Sequence, residues 1–435
     1  MSGRSGWRQG RQVRVLAILA ILVVAAAGLA VLRAAYSAPA DASMSVSPQT
    51  ALLDQPVTVM IRGLPAGEVT TVTAKATDAG GTTWSASARF RATSAGSVSL
   101  DQPSLGGSYS GAKPMGLFDF MAPPSDSTDV AFLSPDPGYD VTLQATVGDR
   151  VVATATAQRQ GPAAVGVVEK ELRPASGGIY GNLYLPKNTS AKRPAVLVFG
   201  GSDGGLSTGF SASLLAAHGY PSLALAYFKA PGLPQGLANI PLEYFTRALA
   251  VLRAQPGVDP RHVLVSGVSR GSEAALLLGV HYPRLVNGVV AGVPSSVVNP
   301  GFPDATRPAW TLHGRPLPAV STAEFGQTNP PGKPEAIIPV ERIRGPILLT
   351  CGALDVIWPS CTQIDAITAR LSARLFAYPV TALRYPDAGH LVGGLTTYLL
   401  SLTEDALTRF GGTVAGTQAA QADAHAKLLA FLRSQ

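Results

Sequence analysis

The sequence predicts an α/β fold, a mostly parallel sheet covered by helices. Before it come an all-β immunoglobulin-like sandwich domain and an N-terminal transmembrane or signal helix. Three observations carry this expectation. From about Val167 onward, short apolar runs alternate with helical patterns, which is how βαβ units read. Residues 41–165 instead hold short β-rich runs separated by Gly, Pro, Asp and Ser, the pattern of an antiparallel sandwich. The first 40 residues contain five arginines, no acid and one continuous apolar run. The expected divisions are therefore 1–40, 41–165 and 166–435.

In the first division, Arg4, Arg8, Arg11 and Arg14 precede an uncharged run from Val15 to Leu32. That run is slightly longer than a usual signal-peptide core and just long enough to span a bilayer. Positive charge ahead of it favours that end staying inside. The small residues at 34–40 (AAYSAPA) offer cleavage after Ser37 or Ala40. The segment reads either as a cleaved signal peptide or as a retained anchor, with a membrane partner in the second case. Both readings put the remainder outside the cytoplasm. The arginines also account for most of the formal charge of +7. Without Arg4, Arg8, Arg11, Arg14 and Arg33, 29 bases face 27 acids, so a nucleic-acid-binding face has no electrostatic support.

In the second division the runs are VTVMIRGL, VTTVTAKAT, TWSASARFRAT, YDVTLQATVG and RVVATATAQR, with no His or Cys among residues 41–165. A scaffold or lid role is expected rather than an independent binding module. The long Gly- and Pro-rich segment 102–124, which carries Met and Phe, reads as a loop covering the neighbouring domain's site or as one packed on its own sandwich.

The third division offers strands at 195–199 (AVLVF), 222–228 (SLALAYF), 262–267 (HVLVSG), 288–293 (GVVAGV) and 346–352 (PILLTCG). Helical patterns fall at 210–219, 242–255, 272–282 and the C-terminus. One junction stands out. His262 to Val265 leads into Gly267-Val268-Ser269-Arg270-Gly271, and SEAALLLGV follows at once. Strand, sharp turn and helix around G-x-S-x-G make the nucleophile elbow of an α/β-hydrolase. The serine sits on a strained turn, and a side chain at either glycine would crowd the neighbouring strand or helix.

A serine hydroxyl needs a base, and the base needs an orienting acid. In this fold they follow in chain order Ser, Asp or Glu, His. His390, in the Gly-flanked loop RYPDAGHLVGG after a strand-like VTALRY, fits the base. His313 precedes the acid, and His425 on the terminal helix reads as a surface or packing residue. Asp355 directly follows the strand at 346–352, near the carboxyl edge where sites of open α/β sheets lie; its alternative role is a helix cap. Asp365 falls in the next helix, and Asp387 is the runner-up acid. An oxyanion hole needs backbone N–H groups aimed at the developing charge. Arg270 supplies one, and the loop GGSDGG at 200–205 the other, with Ser202 and its neighbours as candidates. That loop lacks the Lys-Ser/Thr ending of a phosphate loop. The side chain of Arg270 reads as a contact for an anionic substrate group, a solvated charge or a salt-bridge partner. Cys351 and Cys361 are the two cysteines. In an exported chain the even count favours a disulfide, worth about 2–3 kcal/mol by chain entropy for so short a loop; two free buried cysteines are the alternative.

Longer segments carry a family resemblance. DQPVTVMIRGLPAGEVTTVTA (54–74), WSASARFRA (84–92), SLGGSYSGAKPMGLFDFM (104–121), LALAYFKAPGLPQGLANIPLEYFTRALAVLRAQPGVD (223–259), GVSRGSEAALLLG (267–279), IPVERIRGPILLTCGALDVIWPSC (338–361) and YPDAGHLV (385–392) resemble the acyl-CoA thioesterase / bile acid-CoA:amino acid N-acyltransferase family. The resemblance implies a β-sandwich before an α/β-hydrolase domain, with Ser269 as nucleophile, Asp355 as acid and His390 as base. It also implies hydrolysis rather than acyl transfer, since the amino-acid transferases of the family look to use cysteine at the nucleophile. Export departs from the family's intracellular acyl-CoA. The expected substrate is therefore a small acyl thioester or ester, with no cofactor. Three rivals stand beside a thioesterase: a carboxylesterase or lipase, an acyltransferase to an amine, and a non-catalytic envelope binding protein.

Overall fold

The computed structural model describes residues 42–129, 131–187, 191–327, 333–394 and 407–435. The expected N-terminal helix lies outside them. Among the described residues no helix is long and apolar enough to cross a membrane.

The N-terminal unit has eight strands: β1 (Ser43–Ser47), β2 (Thr50–Leu52), β3 (Thr58–Arg62), β4 (Val69–Thr77), β5 (Thr83–Arg91), β6 (Val98–Ser99), β7 (Gly138–Val147) and β8 (Arg150–Gln160). They form a three-stranded sheet, β1-β3-β6, and a five-stranded sheet, β2-β8-β7-β4-β5. Alternation does the sorting. Along β5, Trp84, Ala86, Ala88 and Phe90 point inward while the residues between them are exposed or half-buried. With Ile61 of β3 and Val72 of β4 they make one core, where each large apolar side chain contributes about 1.5–3 kcal/mol. The 102–124 segment belongs to this unit. Tyr109, Leu117 and Met121 are buried in the same core, and Ser85 and Ala88 form bridges to Ala122 and Gly107. Of its two expected roles, packing on its own sheets is the one observed. It also meets the terminal helix, where Gln418 Nε2 donates to the Asp119 carbonyl.

The second unit is built on one eight-stranded sheet. Its strands are β9 (Val168–Leu172), β10 (Tyr180–Leu185), β11 (Arg193–Phe199), β12 (Ser222–Ala226), β14 (Val258–Val268), β15 (Val289–Gly292), β18 (Ile347–Gly352) and β19 (Val380–Tyr385); the short strands β13 (Ile240–Pro241), β16 (Trp310–Leu312) and β17 (Arg315–Pro316) pair apart from it. The order β19-β18-β15-β14-β11-β12-β10-β9 is parallel from β19 to β12 and antiparallel for β10 and β9. These last two strands, β10 and β9, were not among the expected ones.

Among the described residues five helices cover the sheet: α1 (Gly209–Ala217), α2 (Leu242–Arg253), α3 (Arg270–His281), α4 (Ser360–Ala373) and α5 (Val414–Arg433). On one face α2 buries Leu242, Phe245, Leu249 and Leu252, the three-to-four spacing of a core-facing stripe. On the other, α5 buries Ala420, Ala424, Leu428 and Leu432 beside Ala212 and Leu215 of α1. Leu53 of the N-terminal unit packs on Leu214 of α1.

Candidate active site

The elbow is built by close approach of backbones. Ser269, at the N-cap of α3, has φ 55° and ψ −123°, a strained region for a non-glycine residue, costing on the order of 1–3 kcal/mol. Two glycines permit it. A Cβ on Gly267 would lie 2.1 Å from the Gly271 carbonyl oxygen, and one on Gly271 would lie 2.2 Å from that of Gly200. Ser269 N–H donates to the Gly292 carbonyl at 2.9 Å, so β15 fixes the turn from the far side.

The acid and the imidazole arrive from the next two strands. Asp355 follows β18, and His390 follows β19. Asp355 Oδ1 accepts from the amides of Ile357 (3.0 Å) and Trp358 (3.3 Å), which aims its other oxygen. His390 Nδ1 lies 2.8 Å from Asp355 Oδ2, and His390 Nε2 lies 2.9 Å from Ser269 Oγ. Both side chains are nearly inaccessible, at 8% for His390 and 1% for Asp355. With Nδ1–H donating to the carboxylate, Nε2 presents its lone pair to the serine hydroxyl. The structure thus brings Ser269, Asp355 and His390 into one chain of hydrogen bonds.

Asp387 is exposed, and its carbonyl rather than its carboxylate is engaged, by Thr413. Asp365 pairs with Arg384 at 2.7 Å on the surface. The His313 side chain is 77% exposed beside Glu243. His425 is buried, with Nε2 2.8 Å from Asp54 Oδ2, which corrects the surface half of its expected role: the inner face of α5 carries it into the protein. Cys351, in β18, and Cys361, in α4, are bonded with their Cα atoms 5.1 Å apart. Their bridge closes the loop that carries Asp355.

The 200–205 loop approaches the elbow. A Cβ on Gly201 would lie 2.8 Å from Ser269 Cβ and 3.1 Å from the Val268 carbonyl oxygen. Ser202 lines the cavity beside Ser269. Arg270 opens α3, where the first amides have no intrahelical partner. Its side chain is not part of the lining of that cavity. It is 1% exposed, its Nε donates to Glu273 Oε2 at 3.0 Å, and its Nη2 donates to the Asn299 carbonyl at 3.1 Å. Of the three roles read for it, the salt bridge is the one observed.

Sequence reasoning missed two residues. Tyr227 Oη donates to the Gly200 carbonyl at 2.9 Å and holds the loop in place. Trp358 sets its ring edge-on to His390, with centroids 5.4 Å apart, and its Nε1 donates to the Val293 carbonyl at 3.2 Å. Only the position of Trp358, three residues beyond Asp355, hinted at this. The cavity over Ser269 and His390 has a volume of about 420 Å³ and is walled mainly by apolar side chains, Leu214, Leu215, Ile357, Phe410 and Leu428 among them.

Comparison with known proteins agrees with this architecture. Residues 54–173 match the acyl-CoA thioester hydrolase/BAAT N-terminal region, and residues 240–435 match the BAAT / acyl-CoA thioester hydrolase C terminal. Acyl-coenzyme A thioesterase 1 of Mus musculus is 30% identical over 88% of this chain and 94% of its own. Acyl-coenzyme A thioesterase 2, mitochondrial, of the same species is 29% identical over 91% of this chain and 90% of its own. Acyl-coenzyme A amino acid N-acyltransferase 2 of Rattus norvegicus is 32% identical over 80% of this chain and 85% of its own. Two family regions that together match most of the chain, on an α/β-hydrolase scaffold, place it in one family: the chain belongs to the acyl-CoA thioester hydrolase / bile acid-CoA:amino acid N-acyltransferase family.

Proposed function

We propose that the protein hydrolyses an acyl thioester through an acyl-enzyme on Ser269. The observation that carries this reading is the Ser269–His390–Asp355 hydrogen-bond chain opening on an apolar cavity. His390 Nε2 takes the hydroxyl proton as Ser269 Oγ attacks the thioester carbonyl. Asp355 holds the imidazole tautomer and stabilises the imidazolium. The amide of Arg270 and an amide of the 200–205 loop, Ser202 or a neighbour, donate to the oxyanion. The C–S bond then breaks, and the thiol leaves with the proton from His390. His390 next deprotonates a water that attacks the acyl-serine, releasing the carboxylic acid and restoring the Ser269 hydroxyl. The acyl chain lies along Leu214, Leu215 and Leu428.

The relatives' names support a thioester over a simple ester, and a serine in place of cysteine supports water over an amine as acceptor. Export is part of the proposal. It is supported by the arginine-flanked apolar run at 15–32 and by the Cys351–Cys361 bridge.

A substrate panel tests the reading. Acyl-CoA thioesters of several chain lengths, simple esters, and thioesters with added amines are given to wild type and Ser269→Ala. Thioesters are expected to turn over fastest, without need of an amine. Ser269→Ala is expected to lose about 10⁴–10⁶-fold in kcat with the fold intact. A strong preference for esters, or a product that forms only with an amine, would replace the reading with one of its rivals.

A further inference from the structure

Away from Ser269, three side chains distant in sequence meet between the two units. Asp54 lies in the turn between β2 and β3. Arg159 of β8 clamps that turn, its Nη2 donating to the Leu53 and Gln55 carbonyls, each at 2.7 Å. The Asp54 side chain is fully buried. His218 caps the C-terminus of α1, and His425 sits on the inner face of α5. Both imidazoles present Nε2 to the same carboxylate oxygen, Asp54 Oδ2, at 2.7 Å and 2.8 Å. The three ligand atoms all lie within 4.8 Å of one another. Asp54 Oδ1 is buried with no hydrogen-bond partner among the described residues.

We propose that Asp54, His218 and His425 bind a divalent transition ion of the Zn²⁺ class, which clamps the N-terminal β unit to α1 and α5. Two imidazoles and one carboxylate suit Zn²⁺, Co²⁺ or Ni²⁺ and do not suit Mg²⁺ or Ca²⁺, which take oxygen donors. Tetrahedral Zn²⁺ holds its ligands at about 2.0–2.2 Å, so ligand atoms stand roughly 3.3 Å apart. The present contacts must therefore open by about half an ångström, within the reach of side-chain torsions. A carboxylate that turns to share the ion between its oxygens also gives Oδ1 a partner. The charge is right. One carboxylate beside two neutral imidazoles gives the divalent ion a partly compensating negative charge, the mixture of donors that zinc sites use. Access exists too. The His218 side chain is 17% exposed, and His425 lines the cavity, which can supply water for the fourth position. The ion is structural and takes no part in the chemistry at Ser269.

The test uses the full chain, without a polyhistidine tag, stripped with a chelator and titrated with Zn²⁺ and Co²⁺. The expected result is one ion per chain by calorimetry, a visible Co²⁺ ligand-field band of tetrahedral strength, and a Tm that rises with metal. Asp54→Asn and His218→Gln are expected to weaken Zn²⁺ binding at least about 100-fold and to remove the band. Their circular dichroism in chelator shows whether each variant is folded. Absence of stoichiometric binding to the wild type overturns the proposal without any variant and leaves a purely hydrogen-bonded cluster. Equal binding to wild type and folded His218→Gln overturns it as well, since the ion would then sit elsewhere.

Discussion

Two aspartate–histidine clusters border one cavity, wired in opposite senses. At the elbow an imidazole is central: His390 spans from Asp355 Oδ2 to Ser269 Oγ, using both ring nitrogens. At the unit boundary a carboxylate is central: Asp54 Oδ2 lies between the Nε2 atoms of His218 and His425. A central imidazole can take a proton on one side while the acid on its other side stabilises the charge. A central carboxylate flanked by two imidazoles has no hydroxyl to activate; it can only be held, by hydrogen bonds or by a cation. The same residue types thus serve chemistry in one place and cohesion in the other.

The contrast can be broken most sharply at the acid. Asp355→Asn keeps the shape but favours the wrong imidazole tautomer, so kcat should fall by about 10⁴-fold with little change in Tm; steady-state thiol release and a melting curve check both. A smaller loss is expected from Gly201→Ala. The new Cβ meets Ser269 Cβ at 2.8 Å, so the oxyanion loop must retreat, at a loss of about 10²–10³ in kcat. Asp54→Asn should do the reverse of Asp355→Asn. Turnover should stay within a few-fold, while stability in the presence of chelator drops by about 2–4 kcal/mol as two buried hydrogen bonds to a charged group weaken. A denaturant titration would read it, and a large kcat loss there would undo the contrast.

The smallest effect is in pH. The folded Asp54 carboxyl is held below its unfolded value, its hydrogen bonds from His218 and His425 outweighing burial. A depressed acid stabilises fully above the unfolded pKa, and the gain fades as pH falls through the ordinary carboxylate range toward the folded value. Wild type should therefore lose more stability than Asp54→Asn on going from pH 6 to pH 3, a difference visible in parallel acid melts.

The two clusters also differ in how legible they were. The elbow is local: Gly267, Ser269 and Gly271 fall within five residues, between a strand pattern and a helix pattern, because close backbone packing there tolerates nothing larger. Asp355 and His390 each follow a β-run, so chain order and strand ends sufficed to single them out. Nothing local marks Asp54, His218 or His425. Each follows or sits within an ordinary element, and only the docking of two units brings them together. The edge strand β9 escaped for a related reason. VEKEL carries three charges and is exposed up to its half-buried Leu172, so its strand state comes from pairing with β10 and not from an apolar pattern. The Arg270 side chain was ambiguous because its partners, Glu273 and the Asn299 carbonyl, come partly from a loop whose course no pattern predicts.

An acyl-enzyme on Ser269 can be trapped by rapid-quench mass spectrometry. Wild type is mixed with an acyl thioester, quenched in acid within the first turnovers and digested. The mass of the acyl group is expected on the peptide containing Ser269, with no such adduct in Ser269→Ala. Thiol release at the wild-type rate by Ser269→Ala, with no acylated peptide from either protein, would contradict it.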